Sequence, residues 1–453
     1  MGVCRGEAPG TVTAAPPGEV SMARRIRVAV VHGPGPAHRD GVGDYVESLV
    51  GALGGAGVDA VGVPVGTPDA RSPRQWLPAT LAAARRVRRL RPDVVHVQFA
   101  PSAYRFSGLP GLLPPLLPAG TPLVTTLHEY GWWATPGWVP DAVWWPLERA
   151  RLWDRETGRL VPASALVVVT NAAHARQVHG RLGTPAVEVP LAPNVVDHGG
   201  GARARARVRR ELGVRPGDPL LAFFGFVHPV KGVRQLVEAL PALRSGRPGL
   251  RLLVVGGFAS QALPEAEARA FRAELEALAA RHGVADTVTF TGHLPASRVS
   301  ELLHAADAGV LPFTAGVTTK SGALLTMLAH GLPVAITVPD EPDPALPLGE
   351  AVAVIRARRD AAAVARAVGA LLDDPDLRRR MGGAARRLAA RHSWPEVATA
   401  HRALYETLTG PRPDLPRRLR TLCESLSGPR GDLSRRLRSS YAGPRRDLPG
   451  RDG

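Results

Sequence analysis

The segment 309–337, GVLPFTAGVTTKSGALLTMLAHGLPVAIT, restricts the fold of this chain more than any other. The apolar run 308–312 has the length of a buried strand. A polar turn, 314–322, leads into an Ala/Leu-rich stretch of helical character. Gly331-Leu332-Pro333 stops that helix, and Val334-Ala335-Ile336 starts another strand. Strand, polar loop, helix and strand make a βαβ unit, whose two strands must lie parallel. The expected class is therefore α/β. The N–H groups of Ser321, Gly322 and Ala323 open the helix without helical partners, and Gly322 lets a ligand reach the backbone. With Lys320 beside them they form an anion site suited to a diphosphate, although an ordinary βα turn with a solvated lysine would use the same residues.

The chain has 453 residues, enough for two or three domains with separate cores. Cys4 and Cys423, its only cysteines, both stand in tail segments. No disulfide framework or cysteine-based metal site follows, which fits a reducing cytoplasm. Residues 1–24 carry Gly, Pro and Ala without the apolar run of a signal peptide and read as a disordered leader. No uninterrupted apolar run reaches the roughly 18 residues that would span a bilayer. The nearest, 109–124, is broken by Pro110, Pro114, Pro115, Pro118 and Pro122.

The formal charge is +17, and residues 410–453 supply +6 of it through eleven arginines against five acidic residues. Such a surplus favours phosphate-bearing ligands or anionic lipid surfaces, unless it reflects only a compositional arginine habit. The segment 410–453 repeats GPR-x-DL at 410–415, 428–433 and 443–448. It is too short and polar for a core, so it reads as a basic low-complexity tail, with an electrostatic membrane anchor as its open alternative. No basic-aromatic reader motif accompanies the charge, so no specific nucleic-acid partner is expected.

Between the tails, strands alternate with helices. RIRVAVV, 25–31, is a first strand, followed by a glycine-rich loop with Gly33, Gly35, Gly41, Val42 and Gly43 and then a helix from Asp44. The loop suits a phosphate or a sugar, and GxG without a third glycine argues only weakly for a dinucleotide. DVVHVQ, 93–98, and PLVTT, 122–126, are strands, and the second runs into His128-Glu129-Tyr130. Polar residues at the carboxyl ends of parallel strands occupy the ligand crevice of open α/β sheets. His128 and Glu129 are therefore candidates for catalysis, and His96 and Gln98 could share the same edge.

Six of the eight tryptophans fall within 132–153. Indole faces stack on sugars and apolar acceptors and also favour the bilayer interface, while some of these rings must pack the loop onto the sheet. Trp132 and Trp133 are the expected acceptor contacts. The first domain closes near residue 200, after the turn holding Asn194. A second α/β series opens at 220–224 with the loop GFVHPVKG, 225–232, whose Lys231 and His228 face a phosphate. The expected division is leader 1–24, domains 25–200 and 201–392, a helix at 393–409 packed across both, and the tail 410–453.

The stretches DGVGDYVESL, RPDVVHVQ, LVTTLHEY, LVVVTN, FFGFVHPVKGVRQLVEAL, LLVVGG, VTFTGHLP and KSGALLTMLAHGLPVAI, in this order, resemble the family-four retaining glycosyltransferases. The resemblance spans roughly residues 25–405. It implies two Rossmann-like domains facing a central cleft, the GT-B fold. It also implies hexosyl transfer from a nucleotide-sugar with retained anomeric configuration, with no required metal and no cofactor beyond the donor. Carried over by position, Gly41 and Gly43 lie against donor phosphates or acceptor, with Val42 between them. His128 contacts the donor sugar, and Lys231 holds the diphosphate with amides near Ser321 and Gly322.

Two departures stand out. The family's paired glutamates are replaced by Thr318 and Thr326, which are placed with the donor site by alignment. An arginine usual after the first glycine of the second domain is replaced by Phe226, with His228 or Lys320 as compensating cations. The expected function is a cytoplasmic glycosyltransferase, with a peripheral place at the inner membrane face as its open alternative, acting on a glycan, lipid-linked or small-molecule acceptor. A nucleotide-sugar 2-epimerase of the same fold and a catalytically impaired nucleotide-sugar-binding protein are the alternatives.

Overall fold

The computed structural model describes residues 24–34, 41–66, 72–259 and 263–410. The expected leader before Arg24, the tail beyond Gly410, both cysteines and Gly35 lie outside these residues. Valine-rich runs without polar alternation need cover on both faces, which parallel sheets flanked by helices provide. The first lobe has six such strands: β1 (Arg27–His32), β2 (Asp59–Pro64), β3 (Val94–Phe99), β4 (Leu123–Leu127), β5 (Leu166–Val169) and β6 (Ala186–Glu188). They form one parallel sheet in the order β2-β1-β3-β4-β5-β6. The second lobe repeats the design with β7 (Leu220–Phe224), β8 (Arg251–Val255), β9 (Val288–Gly292), β10 (Ala308–Leu311), β11 (Val334–Thr337) and β12 (Val352–Ile355). Their order is β12-β11-β10-β7-β8-β9.

Each sheet grows in one direction and then the other. The reversal falls between β1 and β3 in the first lobe and between β7 and β10 in the second. Loops leaving the strands on either side of such a point diverge and open a crevice at their carboxyl ends. Each lobe has its own core, built around Val30, Leu49 and Val95 in one and Phe223, Val254 and Ile336 in the other. The GT-B arrangement implied by the sequence is the fold observed.

Several local expectations are corrected. The helix at 393–409, expected to pack across both lobes, is Trp394–Thr409, and its Val397, Leu404 and Tyr405 join the first-lobe core. Gly41, Val42 and Gly43 form the first turn of the helix Gly41–Gly55 and not the loop before it. The proline-broken run after residue 108 winds into 3-10 turns, Leu109–Leu112 and Pro114–Leu116. No helix of the described residues is long and apolar enough to cross a membrane. The chain crosses between the lobes twice, and the crossings are tied together. The His392 ring donates through Nδ1 to the Leu191 carbonyl at 3.1 Å, and the Trp394 indole N–H donates to that of Pro193 at 3.0 Å.

Candidate active site

In the second lobe, the loops after β7 and β10 close on each other at the point where the strand order reverses. Gly232 has φ +70°, and a Cβ there would stand 1.9 Å from the Pro312 carbonyl oxygen, so only glycine permits this approach. The Thr314 amide donates to the Val230 carbonyl at 2.9 Å and completes the clasp. The clasp sets Lys231 Nζ 3.8 Å from the centre of the Phe313 ring. Burial and the nearby Lys320 charge pull the Lys231 ammonium down to about 8, against a smaller upward pull from Glu129. His228 closes the short turn, its Nδ1 accepting the Val230 N–H at 3.3 Å, and burial and Lys231 lower its pKa.

The helix Gly322–Ala329 begins beside this clasp. Ser321 is its cap: its hydroxyl accepts the Leu324 N–H at 3.3 Å. Its own N–H is spent on the Thr318 carbonyl at 3.0 Å, which corrects the expectation of three open amides and leaves those of Gly322 and Ala323. Gly322 has a second purpose. A Cβ there would fall 1.7 Å from Asn194 Oδ1, so the glycine also admits the inter-lobe connection. Thr326, expected at the donor, is wholly buried, and its hydroxyl accepts the Val195 N–H at 3.2 Å. Gly322 and Thr326 are one turn apart on one helix face, and that face meets the connection. Thr318 is half-buried in the turn before the helix, and Lys320 is exposed beside it.

In the first lobe, His128 leaves the end of β4 and is held by a string of buried side chains. Its Nε2 donates to Gln98 Oε1 at 2.8 Å. Gln98 Nε2 donates in turn to His96 Nε2 at 3.0 Å, and His96 Nδ1 lies 2.6 Å from the Tyr405 hydroxyl. His96 is thus a buried anchor and not a cleft residue. Tyr45 meets His128 edge-on, with ring centres 4.8 Å apart. Burial, followed by the like charges of His174 and His401, pulls His128 down to about 3, so it is neutral at pH 7. Glu129, the next residue, accepts the Ser102 hydroxyl at 3.2 Å.

The two crevices face each other. Glu129 of the first lobe acts on Lys231 of the second, and Lys320 acts on His174, which burial and that charge pull down to about 4. His174 was not anticipated. It lies in the first turn of the helix Ala172–Leu182, capped by Asn171 after β5, and a strand's carboxyl end was the available signal.

On the acceptor side the expected residues divide. Gly41 is exposed, with open space where a side chain would stand. Val42 belongs to the first-lobe core and Gly43 is buried, so neither presents a side chain to an acceptor. Trp132 is 60 % exposed and edge-on to Phe106, with ring centres 5.9 Å apart, while Trp133 leans partly on the core. The loop beneath them is locked from inside. The Gly131 amide donates to Glu156, Tyr130 donates to Asp154 at 2.9 Å, and Arg181 pairs with Glu156 at 2.6 Å.

Residues 21–199 match the family model described as Glycosyltransferase Family 4, and residues 218–374 match that described as Glycosyl transferases group 1. A glycogen synthase of Mycobacterium tuberculosis is 30 % identical over 321 residues, covering 70 % of this chain and 69 % of that enzyme. The chain belongs to the family-four glycosyltransferases. A D-inositol 3-phosphate glycosyltransferase of Pseudarthrobacter chlorophenolicus is 28 % identical over 422 residues, covering 84 % of this transferase and 94 % of that one. The crystal structure of Anabaena HepE in complex with UDP and glucose matches with a TM-score of 0.61 at 14 % identity. It covers 85 % of the transferase and the whole of HepE (100 %).

Proposed function

We propose that this glycosyltransferase moves a hexosyl unit from a nucleoside-diphosphate sugar to a glycan or lipid-linked acceptor, retaining the anomeric configuration. One observation carries the reading: Lys231 and Lys320, beside the open amides of Gly322 and Ala323, act across the cleft on Glu129 and on His174, the neighbour of His128. Cleavage of the sugar–phosphate bond builds negative charge on the leaving diphosphate, so cations and fixed amide dipoles aimed there stabilise the transition state more than the ground state. Among the described residues neither lysine is held in an ion pair, so both charges are available to the phosphates. Lys320 takes the part that an arginine at position 226 would play.

His128, fixed neutral with Nε2 turned to Gln98, positions a sugar hydroxyl and moves no proton at pH 7. Glu129 sets a carboxylate opposite the cations, where it stabilises positive charge developing on the sugar ring. The complex of HepE with UDP and glucose makes UDP-sugars the first donors to test. The named relatives glycosylate different acceptors, so the acceptor is inferred from the indole surface alone. Trp132 and Phe106 offer flat apolar faces of the kind that stack on a sugar ring.

The test is turnover of UDP-, ADP- and GDP-sugars by the purified full chain, reading released nucleoside diphosphate by mass spectrometry and product configuration by NMR. Release of one nucleoside diphosphate with a retained linkage is expected. Tight nucleotide binding without turnover on any acceptor would favour a binding protein that has lost catalysis, the reading to which Thr318 and Thr326 lend weight. An inverted linkage would overturn the stereochemical assignment.

A further inference from the structure

Away from the cleft, three side chains with metal-binding atoms converge where the inter-lobe connection meets the second lobe. Asp197 lies on that connection, His304 in the last turn of the helix Ala296–Ala305, and His330 just past Gly322–Ala329. One ligand atom from each lies within 4.8 Å of the other two. His304 Nε2 is 2.8 Å from Asp197 Oδ1, and the two imidazole rings meet edge to face with centres 5.1 Å apart. His330 Nδ1 donates to the Thr326 carbonyl at 2.8 Å, which puts its proton on that nitrogen and the lone pair on Nε2. Nε2 now takes a hydrogen bond from the Ser300 hydroxyl at 2.8 Å. A backbone carbonyl behind Nδ1 is the arrangement that orients a ligating imidazole.

We propose that Asp197, His304 and His330 form a site for one transition-metal ion of the zinc type, separate from the donor crevice. Two imidazoles and a carboxylate suit Zn2+, Co2+ or Fe2+, whereas Mg2+ and Ca2+ take oxygen ligands. At metal–ligand bonds of about 2.0–2.2 Å, tetrahedral ligand atoms stand about 3.4 Å apart, so the side chains need move only on the order of 1 Å. The ion replaces the hydrogen bond between Asp197 and His304. Ser300 turns its proton away and continues to accept the His198 amide, now at 3.1 Å. Asp197, the exposed member, leaves a fourth position to water.

The helix ends add little to the attraction. Arg205 already donates to the Ala305 and Ala306 carbonyls, both at 2.9 Å, and Arg386 to that of His330 at 3.5 Å. Affinity therefore rests on the three ligands. The ion ties the connection to the second lobe at the opposite end of the Gly322 helix from the amides offered to the diphosphate. Eight residues of helix separate the two by about 12 Å.

The test uses the full chain, freed of any affinity tag and stripped with a chelator, titrated with Co2+ and followed by its visible absorption. Competition with Zn2+ and the melting temperature are read on the same samples. One Co2+ per chain, displaced by Zn2+, with a rise in melting temperature, is expected. His304→Ala and the milder Asp197→Asn should each weaken binding at least tenfold and abolish the rise. Unchanged binding in both variants, or no saturable binding by the unaltered chain, would overturn the site. UDP binding measured on the same proteins is a separate readout, so failure of the metal site and failure of the donor reading are told apart.

Discussion

The ammonium nitrogen of Lys231 stands 3.8 Å from the centre of the Phe313 ring, joining the loops that leave β7 and β10. An aromatic face attracts a cation by about 2 kcal/mol when both are desolvated. The lowered pKa shows that burial and the neighbouring Lys320 still win. The pocket is short of negative charge, and an arriving diphosphate supplies it.

The first prediction concerns pH. A diphosphate binds the protonated Lys231, whose pKa in the free protein is about 8. The kcat/KM for donor should be level from pH 7 to just under 8 and then fall about tenfold per unit of pH. A profile that stays flat to pH 9.5 would contradict the assignment.

Gly232→Ala should disrupt the clasp. The new methyl meets the Pro312 carbonyl at 1.9 Å from a backbone with φ +70°, a combination of strain and overlap that costs on the order of 2–4 kcal/mol. Thermal unfolding should shift down by several degrees and donor KM should rise. Gly41→Ala, placed in open space, should leave the melting temperature within a degree or so.

Acid should unfold the first lobe early. His128, His174 and His401 sit at about 3, 4 and 4, below the 6.5 of an exposed imidazole. The unfolded chain therefore takes up protons that the folded one refuses. Stability is whole above pH 6.5 and drains as pH falls from there toward 4, by up to about 2 kcal/mol per buried histidine at pH 5. Denaturant midpoints measured between pH 7.5 and 4.5 check the direction, and a midpoint that rises toward acid would refute it.

Trp132→Ala should raise acceptor KM several-fold and leave donor KM unchanged, because the ring is 60 % exposed and contributes little to the core. The comparison is steady-state kinetics with each substrate varied in turn. Equal effects on both substrates would move the acceptor elsewhere.

Much of this was legible in the sequence because valine runs cut by glycine and proline mark parallel strands, and because Lys231 and the Gly322 helix stand at strand ends. What escaped was the phase of that helix. Spacing from the His330-Gly331-Leu332-Pro333 stop placed Thr326 with the donor, yet it shares a face with Gly322 and takes the Val195 amide. The same limit hid the part played by His96. Its strand position pointed to the cleft edge, but Tyr405, more than three hundred residues on, claims it for the interior. Asp197, His304 and His330 come from three separate elements, so no local pattern announced their meeting.

The central claim is that Lys231 and Lys320 grip a diphosphate between two opposed lobes, and calorimetry tests it most directly. UDP, ADP and GDP are titrated into the unaltered chain, and the tightest binder is then titrated into Lys231→Ala, Lys320→Ala and the double variant. The account predicts weakening of about tenfold or more for Lys231→Ala, a smaller loss for Lys320→Ala, and near-complete loss in the double variant, with melting temperatures little changed. A double variant that binds the nucleotide as tightly as the unaltered chain would contradict it.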